Sequence, residues 1–130
     1  MGDPKRDSLK VGSQRAILVG VFHPDAGFGR YDALDELKGL VKTAGVEVVG
    51  EMVQFRETPH PSVCIGRGKL DELKQLVEST DAQMVIFDNN LSPSQGRALE
   101  QSLQKPIVDR SEVILDIFAT HARTHEAMLQ

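Results

Sequence analysis

The stretch Ala16-Ile17-Leu18-Val19-Gly20-Val21-Phe22, closed by His23-Pro24, decides the fold. A strand with one wet face alternates apolar and polar residues. An unbroken apolar run therefore belongs to a strand covered on both faces, as parallel sheets are. Downstream, a Gly-containing loop leads to Asp32, placed to cap a helix whose Leu34, Leu37, Val41 and Ala44 form one face and which Gly45 stops. Val46-Glu47-Val48-Val49-Gly50-Glu51-Met52-Val53 reads as a second strand. Gln54 to Lys69 reads as a long connection rich in Pro, Gly and charge, with Val63-Cys64-Ile65 a candidate for a short extra strand. A helix from near Lys69 turns Leu70, Leu73, Leu76 and Val77 inward, and Met84-Val85-Ile86-Phe87 follows as strand three.

Ser92-Pro93-Ser94-Gln95 is a strong helix start: a capping hydroxyl, Pro at the first helical position, and Gln three residues after the cap. That helix buries Leu99 and Leu103. Pro106-Ile107-Val108 is a short fourth strand, and Ser111 begins a last helix with Val113, Ile114, Ile117 and Phe118 as its stripe. Regular alternation of strand and helix predicts an α/β fold: a small, mostly parallel four-stranded sheet with helices on both faces and right-handed crossovers, ending in the start of a long helix. Leu34-Asp35-Glu36-Leu37-Lys38 recurs as Leu70-Asp71-Glu72-Leu73-Lys74; duplication and convergence of two amphipathic helices account for it equally well. The expected organisation is a flexible leader over 1–14, an α/β domain over 15–119, and the start of a truncated helical subdomain over 120–130, where no stop signal occurs.

The chain has 130 residues, enough to bury a core without a disulfide or metal staple. Trp is absent and Tyr31 is the only Tyr, so the core must be aliphatic, with Phe22, Phe55, Phe87 and Phe118 as larger fillers. The net charge of −4 argues against nucleic-acid binding by bulk charge and confines any RNA contact to a local patch. Cys64 is the single cysteine, which rules out an intrachain disulfide framework or a thiolate zinc site and fits a reducing compartment. No apolar run approaches the ~20 residues of a membrane span, and the first residues lack a signal-peptide core, so a cytoplasmic location and no membrane partner are expected.

In parallel sheets ligands gather beyond the carboxyl ends of the strands. Those ends are His23 and Asp25; Gln54, Arg56 and Glu57; Asp88, Asn89 and Asn90; and Asp109 and Arg110. Gly66-Arg67-Gly68-Lys69 opens a helix from the same edge and invites a phosphate reading, but a P-loop needs Gly where Val63 stands and a hydroxyl where Leu70 stands. Asp88 follows a buried strand, as Mg²⁺-binding acids often do. With no second acid beside it, the preferred reading is that Asp88 and Asn90 bond backbone groups of the following loop. His121 and His125 share a helix face, yet Ala122 stands where a zincin requires Glu, so no metal site is expected. Cys64 reads as a small buried residue and Ser92 and Ser94 as capping groups, which leaves no catalytic residue.

Three motifs in order carry a family resemblance: Ile65-Gly66-Arg67-Gly68-Lys69; Asp88-Asn89-Asn90-Leu91-Ser92-Pro93-Ser94-Gln95; and Asp109-Arg110-Ser111-Glu112-Val113-Ile114-Leu115-Asp116-Ile117-Phe118-Ala119. Together they resemble the N-terminal domain of the HflX family of ribosome-associated GTPases, from about Arg15 to Gln130. Ala127-Met128 and His121 depart from the family pattern toward less positive charge. The resemblance implies a recognition and regulatory module whose partners are the large ribosomal subunit, its RNA and the chain's own GTPase domain. GTP and Mg²⁺ are expected in that later domain, with no cofactor and no catalysis in this part. Arg56, Arg67, Lys69, Arg97, Arg110 and Arg123 are the candidate RNA contacts, since guanidinium groups offer forked donors to phosphate. Gly66, Gly68, Asp88, Asn90, Ser92 and Gln95 would frame the motif loops. The rival reading is a nucleotide-binding module that takes ATP in the strand-end crevice.

Overall fold

Strand β1 (Arg15–Phe22) is central because it is apolar on both sides, and Ala16, Ile17, Leu18 and Val19 are completely buried. It pairs in parallel with β2 (Glu47–Phe55) on one flank and with β3 (Met84–Phe87) on the other. Strand β4 (Ile107–Asp109) continues the sheet in parallel beyond β3, giving the order β2-β1-β3-β4. This computed structural model describes residues 14–27, 33–117 and 119. Most of the expected leader, Asp32, Phe118 and the expected helical subdomain, with His121, Arg123 and His125, lie outside the described residues.

Successive side chains of a strand point to opposite faces, so each strand feeds two cores. Ile17, Val19, Val21, Val85, Phe87 and Ile107 pack under α2 (Arg67–Thr80) and α3 (Pro93–Leu103), which contribute Leu70, Leu73, Val77, Leu99 and Leu103. Ala16, Leu18, Met84, Ile86 and Val108 face α1 (Asp35–Thr43) and the last helical segment, α4 (110–117), through Leu37, Val41 and Val113. Each such fully buried aliphatic or aromatic side chain contributes about 2 kcal/mol relative to exposure. The α/β class and the helices on both faces are thus as the sequence predicts.

Several boundaries differ. Helix α1 starts at Asp35, with Leu34 at the capping position and no side-chain cap. It ends as expected: Gly45 adopts φ +84°, and Gly45 N–H and Val46 N–H return to the carbonyls of Lys42 and Val41. Strand β2 runs on through Gln54 and Phe55 rather than yielding to a loop at Gln54. A register shift opposite Ala16/Ile17 lets Val49 and Gly50 both serve the α2 face, where Gly50 lies beneath Leu76. Val63-Cys64-Ile65 is not a strand. It belongs to a turn closed by reciprocal 2.8 Å backbone bonds between His60 and Cys64. Helix α2 begins at Arg67, so Arg67, Gly68 and Lys69 form its first turn and only Gly66 stands outside as its cap. Helix α3 has the capping box its sequence predicts: Ser92 Oγ accepts from Gln95 N–H, and Gln95 Oε1 accepts from Ser92 N–H.

Candidate functional site

Because the strands run in parallel, the tips of β1 to β4 share one edge, and α2, α3 and α4 start from it. That edge therefore carries Arg56, Arg67, Lys69, Arg97, Arg110, Asp88 and Asn90. Its centre is a closed polar lattice. Asp109 ends β4 and caps α4 through Glu112 N–H at 3.0 Å, while its other carboxylate oxygen accepts from Leu91 N–H at 3.1 Å. Ser111 Oγ donates to Asn90 Oδ1 at 2.7 Å. Gln95 Nε2 reaches out of its capping box to the carbonyl of His60 at 3.1 Å, tying the start of α3 to the turn before α2. Gln54 Oε1 in turn accepts from Gly66 N–H at 2.8 Å, satisfying the cap of α2 from the end of β2.

Arg110 is engaged internally. Its guanidinium donates to Asp88 Oδ1 at 2.9 Å and to Glu36 Oε1, so β3, α4 and α1 meet on one side chain. Burial pushes the Asp88 carboxyl above the usual carboxylate range, and the Arg110 guanidinium opposes that push. Asp88 and Asn90 thus bond side chains of the α4 start, not backbone groups of their own loop. The backbone role falls to Asn89: its Oδ1 accepts from Val21 N–H and its Nδ2 donates to the Val21 carbonyl, both at 2.8 Å. Strand β3 has stopped pairing at Phe87, opposite Val19, so the Asn89 amide stands in for the peptide group that a longer strand would have offered Val21.

This substitution bears on ligand binding. The sheet order reverses between β1 and β3, the switch point where open parallel sheets take nucleotides. Here that crevice is bridged by Asn89, which does not favour the ATP reading. The Gly66–Lys69 segment offers no wrapping loop, since its last three residues are already helical.

The remaining basic residues lie on the flanks. Arg67 is exposed at the first position of α2, and Arg97 is exposed on α3 beside a cleft of about 290 Å³ walled also by Glu100, Asp109 and Glu112. Neither arginine makes an ion pair among the described residues. Lys69 makes a 3.2 Å pair with Glu72, one turn along an exposed helix face, which holds it loosely. Arg56 is half-buried; its Nε donates to the carbonyl of Thr58 at 3.0 Å and its guanidinium lies over Gly66, where a Cβ would come within 2.9 Å of Nη1. His23 and Asp25 face each other at 3.7 Å in the loop after β1. Cys64 is buried next to Arg56, and burial pushes its thiol up to about 11. No group of three or more His, Cys, Asp or Glu side chains suited to a metal occurs among the described residues. No described helix is long and apolar enough to cross a membrane.

Residues 31–119 match the family described as GTP-binding GTPase N-terminal. The chain is 43% identical over 122 residues to GTPase HflX of Lacrimispora saccharolytica, covering 94% of this chain and 29% of the relative. It is 40% identical over 124 residues to GTPase HflX of Escherichia coli, covering 95% and 28%. The chain thus spans less than a third of the length of these curated relatives. Among solved structures, a GTP-binding protein from Sulfolobus solfataricus in complex with GDP shares the fold with a TM-score of 0.58 at 20% identity, over 82% of this chain and 30% of that one. A complex of SsGBP with GDP gives a TM-score of 0.62 at 20% identity, over 82% and 29%.

Proposed function

The chain belongs to the GTP-binding GTPase N-terminal family, in the form carried by HflX GTPases, and from that premise we propose that it is a ribosome- and RNA-interaction and regulatory domain that associates with the large (50S) ribosomal subunit in the cytoplasm. In this reading GTP and Mg²⁺ are handled by a GTPase domain and this domain performs no bond chemistry.

One observation carries the proposal: the parallel sheet gathers Arg56, Arg67, Lys69 and Arg97 on a single edge of a chain whose net charge is −4. Basic groups that served only solubility would be dispersed, whereas a shared edge with two guanidinium groups that make no ion pair among the described residues suits a run of phosphates. Arg110 has a positioning role in this scheme, holding the Asp88 loop and α4 together beneath the contacts.

Co-sedimentation with purified large subunits across a salt series tests it. Charge reversal at Arg67 and Lys69 together should weaken binding and flatten the log–log salt dependence by about 1.4–1.8, the loss of two phosphate contacts. Binding and slope unchanged from the parent chain would refute the assignment.

A further inference from the structure

We propose that the outer side of β2 is a self-association surface, on which two copies of this chain pair antiparallel through Glu51–Phe55 about a two-fold axis at Val53. The pairing joins their two four-stranded sheets into one. It uses a lateral edge of the sheet, not the strand tips, and is independent of the RNA-binding reading above.

The two lateral edges of the sheet are unlike. At one end β4 is three residues long, with Ile107 and Val108 buried. At the other end β2 is nine residues long, and none of its residues is buried. Arg56 N–H donates to the Phe22 carbonyl at 2.9 Å, so Arg56 turns its backbone toward β1. Backbone groups alternate sides along a strand, and the alternation is regular from Gly50 onward because the register shift lies before it. Met52 and Gln54 therefore also pair with β1, while Glu51, Val53 and Phe55 aim their N–H and C=O groups outward. Among the described residues nothing meets those groups. An open strand edge of this length is a template for a further strand.

The side chains of the same three residues select that strand. Glu51 pairs with Lys38 of α1 at 2.9 Å, Val53 packs into the core beneath α1, and Phe55 rests against Phe22 with ring centroids 6.4 Å apart. All three lie on the α1 face, and a two-fold axis perpendicular to the sheet keeps that face on one side in both copies. Charge and the bulge then fix the register. Centring the axis on Glu51 sets Glu51 against itself, and centring it on Gln54 sets Glu51 against Glu57. Centring on Met52 carries Phe55 to Val49, where the ladder is interrupted, and centring on Phe55 carries Glu51 past the end of β2. Centred on Val53, all three outward residues find partners. Val53 meets Val53 of the second copy, and each Glu51 faces Phe55 of the other copy, so no like charges are opposed. Phe55, 40% exposed in the single chain, is then covered by the Glu51 stem and Val53 of the second copy. Because the β4 edge is too short to repeat the pairing, the assembly closes at two copies.

Sedimentation equilibrium of the 130-residue chain, across about two decades of concentration, should show a monomer–dimer equilibrium. Val53→Cys tests the register. In the proposed pairing the two Cα atoms at position 53 lie about 5.5 Å apart, inside the roughly 4.4–6.8 Å that a disulfide spans. Cys64 is buried and does not compete. Mild oxidation should link Val53→Cys into dimers and leave Met52→Cys, which lies on the opposite face across from Gln54, mostly unlinked. Phe55→Glu opposes Glu51 with a like charge and should associate at least about tenfold more weakly than Phe55→Lys, which opposes it with a cation. Melting temperatures, measured for each variant, show an intact fold. Charge reversal at Arg67 and Lys69 should leave self-association unchanged. A chain that stays monomeric throughout overturns the proposal. So does a disulfide yield no higher at position 53 than at 52, or equal association of Phe55→Glu and Phe55→Lys, which would reduce Phe55 to an unspecific apolar contact.

Discussion

The bond pair between Asn89 and Val21 predicts a pH-dependent stability defect that no surface asparagine would show. Val21 is 4% exposed, and on its β3 side both its N–H and its carbonyl are satisfied by the Asn89 amide alone, at 2.8 Å each. Asn89→Ala removes two neutral hydrogen bonds worth about 1 kcal/mol each and strands two backbone groups. With partial rescue by water the cost should be about 2–4 kcal/mol, or very roughly 8–15 °C in Tm for a domain of this size. Asn89→Asp is the sharper perturbation. An ionised carboxylate still accepts from Val21 N–H but sets a second oxygen against the Val21 carbonyl, whereas the protonated acid can donate there as the amide does. The native state therefore favours the protonated form and raises the pKa of the introduced carboxyl above its unfolded value of about 3.9. A penalty of about 3 kcal/mol on the ionised form corresponds to a rise of about 2 units. The sign follows: the protonated variant's stability is fully present below about pH 4 and is lost as pH rises through about 6. Urea unfolding of parent and variant between pH 4 and 8 reads the difference. A deficit that is flat, or that grows toward acid, would refute the peptide-mimic role, as would an Asn89→Ala cost below about 0.5 kcal/mol.

Three further outcomes follow from single contacts. Arg110→Met leaves Asp88, whose side chain is 10% exposed, without its cation; the cost should be about 2–3 kcal/mol by chemical denaturation, should shrink as pH falls and Asp88 protonates, and should be largely recovered in the Asp88→Asn/Arg110→Met pair. Gln104 closes α3 at φ +57°, a conformation disfavoured for a residue with a Cβ, so Gln104→Gly should raise Tm by about 2–4 °C, and a fall would show that its local side-chain bond outweighs the strain. Burial holds the Cys64 thiol at about 11 against an ordinary 9.0, so it should resist a disulfide reagent at neutral pH until the chain unfolds; its contribution to stability is complete below 9.0 and is lost as pH rises through about 11, and thiol exchange in native buffer at the rate of the denatured chain would refute this.

What was legible in the sequence was whatever rests on short-range pattern. The doubly apolar run of β1, the capping box at Ser92 and the Gly45 stop are each complete within a few residues, and each is present. Boundaries slipped where a residue's type contradicted its place. Gln54 is polar but lies within β2 because its side chain caps α2, and Gly68 resembles loop yet sits in a helix whose stability comes from Leu70, Leu73 and Val77. Pairing between distant polar groups left no such trace. Asn89 meets Val21 across 68 positions, and Arg110 meets Asp88 across 22 and Glu36 across 74, separations over which no local pattern marks which donor finds which acceptor.

Those long-range pairings change what the strand-end edge can bind. Polar residues near the middle of the edge are matched within the fold: Asp88 to Arg110, Asn89 to Val21, Asn90 to Ser111, Asp109 to the N–H groups of Leu91 and Glu112, and Arg110 also to Glu36. A mononucleotide needs converging, unmatched donors at one point, and the switch-point centre has been filled. What stays open is peripheral: Arg56 and Arg67 at the β2 side, and Arg97 on α3 toward the β4 side. Strands β2 and β4 are separated by three inter-strand spacings, roughly 14 Å. Cationic groups that far apart do not converge on one phosphate, but they match successive phosphates along a strand or across a groove. The filled centre and the open flanks therefore favour an extended polyanion over a small nucleotide, and an Asn89 variant that stayed folded yet gained saturable ATP binding would show that the filled crevice is what withholds the nucleotide.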